Sequence, residues 1–140
     1  MQGLKLTLES NPESEDLEVI STGLEQFNEK RVGRDNFESL TVFLRNKQGA
    51  VVGGCVAETY WEWLYIAIIV VPEQWRGQGY GEAILTRAEQ VAKQRGCKHA
   101  YLDTFSFQSP QFYLNRGYVV FGELPNFPAG NSRYFLQKSL

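Results

Sequence analysis

Arg76-Gly77-Gln78-Gly79-Tyr80-Gly81 is the stretch of this chain with the most specific chemical meaning. Three glycines at alternate positions suit neither a helix nor a strand, because glycine loses the most backbone freedom on ordering. They follow an apolar run, residues 66–71, and precede a helical pattern in which Ile84, Leu85, Ala88, Val91 and Ala92 share one face. A strand that passes through bare backbone into a helix gathers unpaired N–H groups and the positive end of the helix dipole at one point. That is the chemistry for holding a phosphate. Arg76 adds a positive charge there, Lys93 and Arg95 lie at the far end of the helix, and only Glu82 opposes an anion.

Two familiar phosphate patterns fail on these residues. A P-loop needs Gly-Lys-Ser/Thr where Glu82 stands, five positions after Gly77. A dinucleotide fingerprint needs a small residue at that same position and an early βαβ unit, whereas these glycines fall in mid-chain. The bland alternative is a plain strand-to-helix turn that uses one or two glycines for positive φ.

The rest of the chain must position this turn. Its 140 residues, 43% hydrophobic, suffice for one core, so residues 1–140 read as a single domain. A formal charge of −2 lacks the basic footprint of a nucleic-acid or anionic-membrane binder. The N-terminus shows no signal-peptide core and the longest apolar run is far below the roughly 20 residues of a membrane span, which points to a cytoplasmic protein. Cys55 and Cys97 lack any metal-site or disulfide spacing and read as core residues; no metal is expected.

"LKLTLE" alternates as a first strand, and Asn11 and Pro12 then read as the start of a helix bearing Leu17, Ile20, Leu24 and Phe27, broken or kinked at Gly23. "SLTVFLRN" and "VVGGCVAETYW" form a hairpin, and "LYIAIIVV" a central strand. The helix after the glycines carries a Glu89/Lys93 pair and ends at Gly96. "HAYLDTF" is a strand, "SPQFYLNRGY" a short helix, and two last strands flank "PNFPAGN". The order β, α, β, β, β, α, β, α, β, β implies an α/β domain with a mixed sheet packed by helices and at least one parallel crossover.

The spacing Arg76-x-x-Gly79-x-Gly81 after "VVPE", followed in order by the helix to Gly96, "HAYLDTF" and "FYLNRGY", resembles the GNAT family of acetyl-CoA-dependent N-acetyltransferases. The resemblance covers most of the chain, and the segment from "LDTF" to "FLQK" looks like a small bacterial single-domain branch. It implies a twisted mixed sheet of six to seven strands with about four helices, α+β-like, splayed between the fourth and fifth strands. By the same resemblance acetyl-CoA is the cosubstrate. Arg76, Gly77, Gln78, Gly79, Tyr80 and Gly81 would bind its pyrophosphate, while Ile69, Val70 and Val71 would pair with its pantetheine arm. Ser106 stands where many relatives carry asparagine as a cofactor contact. Tyr113 occupies the place of the tyrosine that protonates the departing thiolate, a role a phenol near pKa 10 can fill at pH 7.

The family's frequent acid on the strand before the glycines is missing, since that strand reads Tyr65-Ile66-Ala67-Ile68. The candidates for the base are Glu58 and Glu62 just upstream, Asp103 on the neighbouring strand, or a water wire ending at Tyr65. Tyr60, Trp61, Trp63 and Tyr65 among two glutamates form either a receptor for a cationic amine or a packed sheet face. "LPNFPAGNSR" closes over substrate, runs as a surface connection, or joins a homodimer contact through the last two strands. Two functions compete on these residues. One is direct acetyl transfer to a primary amine of a small molecule or peptide in a ternary complex; the other is a non-catalytic acyl-CoA-binding or sensor module.

Overall fold

The computed structural model describes residues 3–140, which fall into two compact units divided between Asp35 and Asn36. In the first, helix α1 (Ser14–Val32) begins after Glu13, with Glu15 and Asp16 in its first turn and Lys30 and Arg31 in its last. That charge order complements the helix dipole. Gly33, at φ 86°, donates its N–H to Glu29 O and ends the helix. The helix runs unbroken through Gly23, because one glycine costs only about 1 kcal/mol in an otherwise favourable sequence. It starts three residues after Asn11 rather than at it. The expected first strand is absent: residues 4–9 are not strand, and residues 3–35 contain no second strand to supply a hydrogen-bonding partner.

The second unit is a six-stranded sheet with two helices and a 3₁₀ turn. Its strands are β1 (Glu38–Arg45), β2 (Val51–Tyr60), β3 (Trp63–Val70), β4 (His99–Phe105), β5 (Val119–Pro125) and β6 (Ser132–Ser139). They lie in the order β1-β2-β3-β4-β6-β5. Only β3 and β4 are parallel, joined through α2 (Tyr80–Gln94); α3 (Pro110–Leu114) follows β4. The mixed α/β architecture is as expected, with three α-helices instead of about four. No helix of the described residues is long and apolar enough to cross a membrane.

One face of the sheet buries Leu64 and Ile66 of β3, Leu102 of β4 and Leu136 of β6 with Leu85, Ala88 and Ala92 of α2. The alanines allow close approach of helix to sheet, and burial of each leucine is worth about 2 kcal/mol. Cys55 and Cys97 are free thiols in this core. Polar braces fix the C-terminal half of the helix. Arg95 reaches Glu38 Oε2 at 2.8 Å and donates to Thr59 Oγ1, while Glu89 turns from Lys93 to accept from Tyr118 Oη (2.8 Å) and Lys138 Nζ (3.1 Å).

Two glycines of β2 let its neighbours β3 and β1 approach closely. A Cβ at Gly53 would stand 2.5 Å from Val70 O, and one at Gly54, whose φ is +143°, would collide with Val42 O. The strand therefore lies against its neighbours only as bare backbone. Gly53→Ala is expected to lower stability by about 1–3 kcal/mol, the usual range for overpacking, in urea denaturation.

Candidate active site

Residues leaving β3 make a 3₁₀ turn (Glu73–Trp75) and enter α2 through Gly79, which caps the helix at φ 89° with no side-chain cap. Gly77, Gln78 and Gly79 donate no backbone hydrogen bond among the described residues, and the next three N–H groups belong to the free first turn of α2. Six consecutive amides, 77–82, thus converge at the positive end of a 15-residue helix. Nothing stands within 4 Å of a Cβ built at Gly77 or Gly79, so the backbone there is open to a ligand. Gly81 differs: its Cβ would stand 3.1 Å from the Phe112 ring, so the third glycine seats α3 on α2.

Arg76 Nε donates to Val71 O at 2.8 Å, which anchors its cation beside the amides. Gln78 contributes its free amide, while its side chain bonds Gln74 O. Glu82 is balanced by Arg116, whose Nη2 stands 3.3 Å from Oε2. Arg116 also donates through Nη1 to Phe112 O, lies 3.9 Å over the Phe112 ring and keeps a buried Nε without a partner. Both arginines and Glu82 line the cleft described below. Glu82→Gln removes the one negative charge at the amide cluster and releases Arg116 toward it. CoA affinity by calorimetry is expected to rise about twofold to fivefold, as fits an exposed charge at a helix N-terminus.

The cleft opens where β3 and β4 part. Their pairing runs from Trp63↔His99 to Ile66↔Leu102 and stops, although β3 continues to Val70 and β4 to Phe105. The splay was expected at this pair of strands, which are third and fourth because the N-terminal strand does not form. A bulge helps to produce it: Val56 faces Ile68 and Ala57 faces Ile66, leaving Ala67 as the extra residue. Beyond Ile66 the β3 edge has no strand partner on this side. The gap is a cleft of about 770 Å³, bounded by Ile69, Val70 and Val71, the turn at Gly77, Gly79, Tyr80 and Gly81, and residues of β4 and α3. On its β4 side Gln108 Oε1 accepts from Thr104 Oγ1 and Phe105 N, both at 2.9 Å, which fixes the strand end as it departs.

Tyr113 lines this cleft from α3. Its ring packs edge-on against Phe112 and Tyr118, and its pKa is pushed up to about 12, first by burial and then by the Cys55 thiol. The hydroxyl therefore keeps its proton at any physiological pH. Burial likewise pushes the Cys55 thiol up to about 11. Both groups ionise more readily in the unfolded chain, near 9 to 10. The stability they lend is thus complete below about pH 9 and is lost as pH rises through 11 to 12. Thermal melts are expected to show a falling midpoint across that alkaline window.

Asp103 is the acid that the splay brings into the cleft. Its Oδ1 accepts from Arg133 Nε at 2.8 Å and is ion-paired with Nη2 at 2.6 Å, and its Oδ2 accepts from Tyr65 Oη at 3.4 Å. Tyr65 has its pKa raised by burial and then by Asp103. Glu62 is not part of this cluster. It sits in the β2–β3 turn, about 26 Å of strand from Val70, exposed and 3.6 Å from Lys98. Glu58 is the register partner of Tyr65 on β2 and does not line the cleft. Ser106 Oγ donates to Asn131 Oδ1 and accepts from Ser132 N. It fastens the turn after β4 to the start of β6. Of the aromatic set, Trp63 stacks on His99 and Tyr60 shares a hydrogen bond with Tyr101, so the sheet-packing alternative describes them.

Gly53, Gln108, Phe112, Arg116 and Arg133 shape the site without having been singled out from the sequence. The Gly53-Gly54 doublet inside a strand pattern is a readable sign of close backbone approach. Gln108 acts on Thr104 and Phe105, four and three residues before it, whereas Phe112, Arg116 and Arg133 act through partners remote in sequence.

A sequence model described as the acetyltransferase (GNAT) family matches residues 6–118. Acetyltransferase Atu2258 of Agrobacterium fabrum is 33% identical over 135 residues, 96% of this chain and 98% of its own. Blasticidin-S acetyltransferase of Streptomyces morookaense is 32% identical over 104 residues, 74% of this chain and 76% of its own. The crystal structure of an acetyltransferase from Bacillus cereus superposes with a TM-score of 0.85 at 31% identity, covering 96% of this chain and 98% of that one. An aminoglycoside 6′-N-acetyltransferase complexed with coenzyme A shares the fold at a TM-score of 0.63 and 20% identity, over 73% of each chain. A free-amide turn opening a helix, a parallel strand pair that splays beside it and a matching sequence model over most of the chain converge on one conclusion: this chain belongs to the GNAT family and is an N-acetyltransferase.

Proposed function

We propose that this enzyme moves the acetyl group of acetyl-CoA to a primary amine of a small molecule by direct attack within a ternary complex. The observation that carries the reading is the coincidence, in one cleft, of six unbonded amides at the start of α2 and the unpaired edge of β3. The amides of residues 77–82 with Arg76 hold the pyrophosphate. Ile69, Val70 and Val71 pair with the amide groups of the pantetheine arm, as an added strand would. Acetyl-CoA supplies an acyl carbon activated as a thioester. A backbone N–H of the unpaired edge near Val70 or Val71 stabilises the charge that develops on the acetyl oxygen.

The proton balance uses two side chains. The amine nitrogen bonds to the acyl carbon and releases a proton toward Asp103, aided by Tyr65. The C–S bond breaks, and Tyr113 gives its proton to the sulfur. Glu82, the other cleft acid named above, is committed to Arg116 at the phosphate end. The name of blasticidin-S acetyltransferase gives that relative a small-molecule acceptor, which supports the same class here.

The test follows free-thiol release from acetyl-CoA across a panel of amines, with mass spectrometry of the acetylated product. Amine-dependent release with N-acetyl product is expected. Tight CoA binding without release across a broad panel overturns the reading in favour of a CoA-binding module.

A further inference from the structure

We infer that the acceptor is an amine that also carries a carboxylate, as an amino acid does, with its amine at Asp103 and its acid at Arg133. The inference rests on the acetyltransferase reading above and names the class of its second substrate. Arg133 faces Phe105 across the β4–β6 ladder, two residues along from Asp103 and on the same face of the strand pair. Of its five N–H groups Nε donates to Asp103 Oδ1, and Nη2 stands 2.6 Å from the same oxygen in the ion pair. Nη1 makes no hydrogen bond among the described residues and is not one of the buried orphan atoms, so it is open. The outer edge of the guanidinium, Nη1 with the second N–H of Nη2, is therefore a vacant fork of the shape that takes a carboxylate bidentately.

The surroundings keep that fork oriented. The Phe105, Phe127 and Phe135 rings stand 5.2–5.4 Å from the guanidinium carbon, and the side chain is only 28% exposed. Phe127 belongs to the loop before β6. Asn131 and Ser132, at the end of that loop, are tied to Ser106 at the turn after β4. Asp103, 16% exposed, spends Oδ1 on Arg133 and keeps Oδ2 with one long bond from Tyr65, so an ammonium has a free acceptor there.

A purely structural ion pair explains this less well. Seven register pairs already join β4 to β6, and partly exposed ion pairs add little to stability. The charge count decides the ligand class. Arg133 cancels Asp103, so the site suits a molecule bearing both signs. A polyamine would need acid in excess. Glu58 faces Tyr65 from β2, two strands further from Arg133 than Asp103 is.

The experiment compares kcat/KM for matched acceptors: L-phenylalanine against phenethylamine, L-leucine against isoamylamine, and L-lysine against cadaverine. The wild-type enzyme is expected to favour the acid-bearing member by at least about tenfold. Arg133→Gln should bring that ratio near one, chiefly through KM of the amino acids, and Arg133→Lys should restore part of it because it keeps charge without the fork. Turnover that favours the plain amines, or a ratio unmoved by Arg133→Gln, overturns the inference while leaving acetyl transfer intact. Absence of thiol release with every acceptor sinks the acetyltransferase reading itself, a distinguishable result.

Discussion

Tyr113→Phe is expected to lower kcat by about a hundredfold or more and to leave CoA affinity within about twofold, because a positioned general acid contributes 10²–10⁴ in rate and little in binding. The substitution is clean for structural reasons. The ring stays packed against Phe112 and Tyr118, and no described residue hydrogen-bonds the hydroxyl, so its removal orphans no partner. Melting temperature should therefore hold while turnover falls. The phenol pKa, pushed up to about 12, gives a second check. An acid with that pKa in the free enzyme stays protonated across the working range, so Tyr113 imposes no alkaline limb on the wild-type kcat/KM profile below about pH 11. A limb at lower pH belongs to another group. An unchanged kcat in the phenylalanine variant would move the proton donation elsewhere.

The parts of this fold that were legible in the sequence are those set by local chemistry. The turn from residue 76 to 81 announced itself because glycine at alternate positions has no use in a regular element, and α2 followed from its apolar face and Gly96. The first strand misled because alternation is a property of a sequence whereas a strand is a property of a pair. "LKLTLE" has the pattern, and residues 3–35 offer it no ladder. Gly23 misled in the opposite direction, since its penalty was weighed alone and the helix around it is strong enough to absorb it.

The acceptor side was less legible for a geometric reason. Glu62 lies near the site in number, only eight residues before Val70, but those residues form an extended strand and place it at the opposite end of the sheet. Asp103 was nameable from the sequence as an acid on the next strand. Its partner Arg133 was not, because it lies 30 positions further on and only the β4–β6 register joins them. The Ala67 bulge that helps to open the cleft leaves no mark in an unbroken apolar run. Ser106, where a cofactor contact is expected, also fastens the loop that carries Phe127, a role its type and position do not reveal.

Gly79→Asp is expected to raise the dissociation constant for CoA by about a hundredfold, and the reason can be separated from backbone strain. Gly79 sits at φ 89° and ψ 2°, the left-handed region, where any β-carbon costs roughly 1 kcal/mol but Asp and Asn are the residues that accept it best. Space is not at issue, since nothing lies within 4 Å of the new Cβ. Asn is thus a control of nearly equal shape and strain without the charge. The aspartate carboxylate would sit against the free amides of residues 77–82, accept their hydrogen bonds and compete with the pyrophosphate for the same positive end of α2. Two like charges about 5 Å apart at an effective dielectric constant near 20 repel by roughly 3 kcal/mol, which corresponds to about two decades in affinity. Calorimetric titration of CoA into both variants, with melts to verify folding, should show Asn weakened by less than about tenfold and Asp by far more. Equal losses in the two would mean that the turn matters only as backbone. Unchanged affinity in both would remove the phosphate from this turn and, with it, the placement of the acetyl group between Val70, Asp103 and Tyr113.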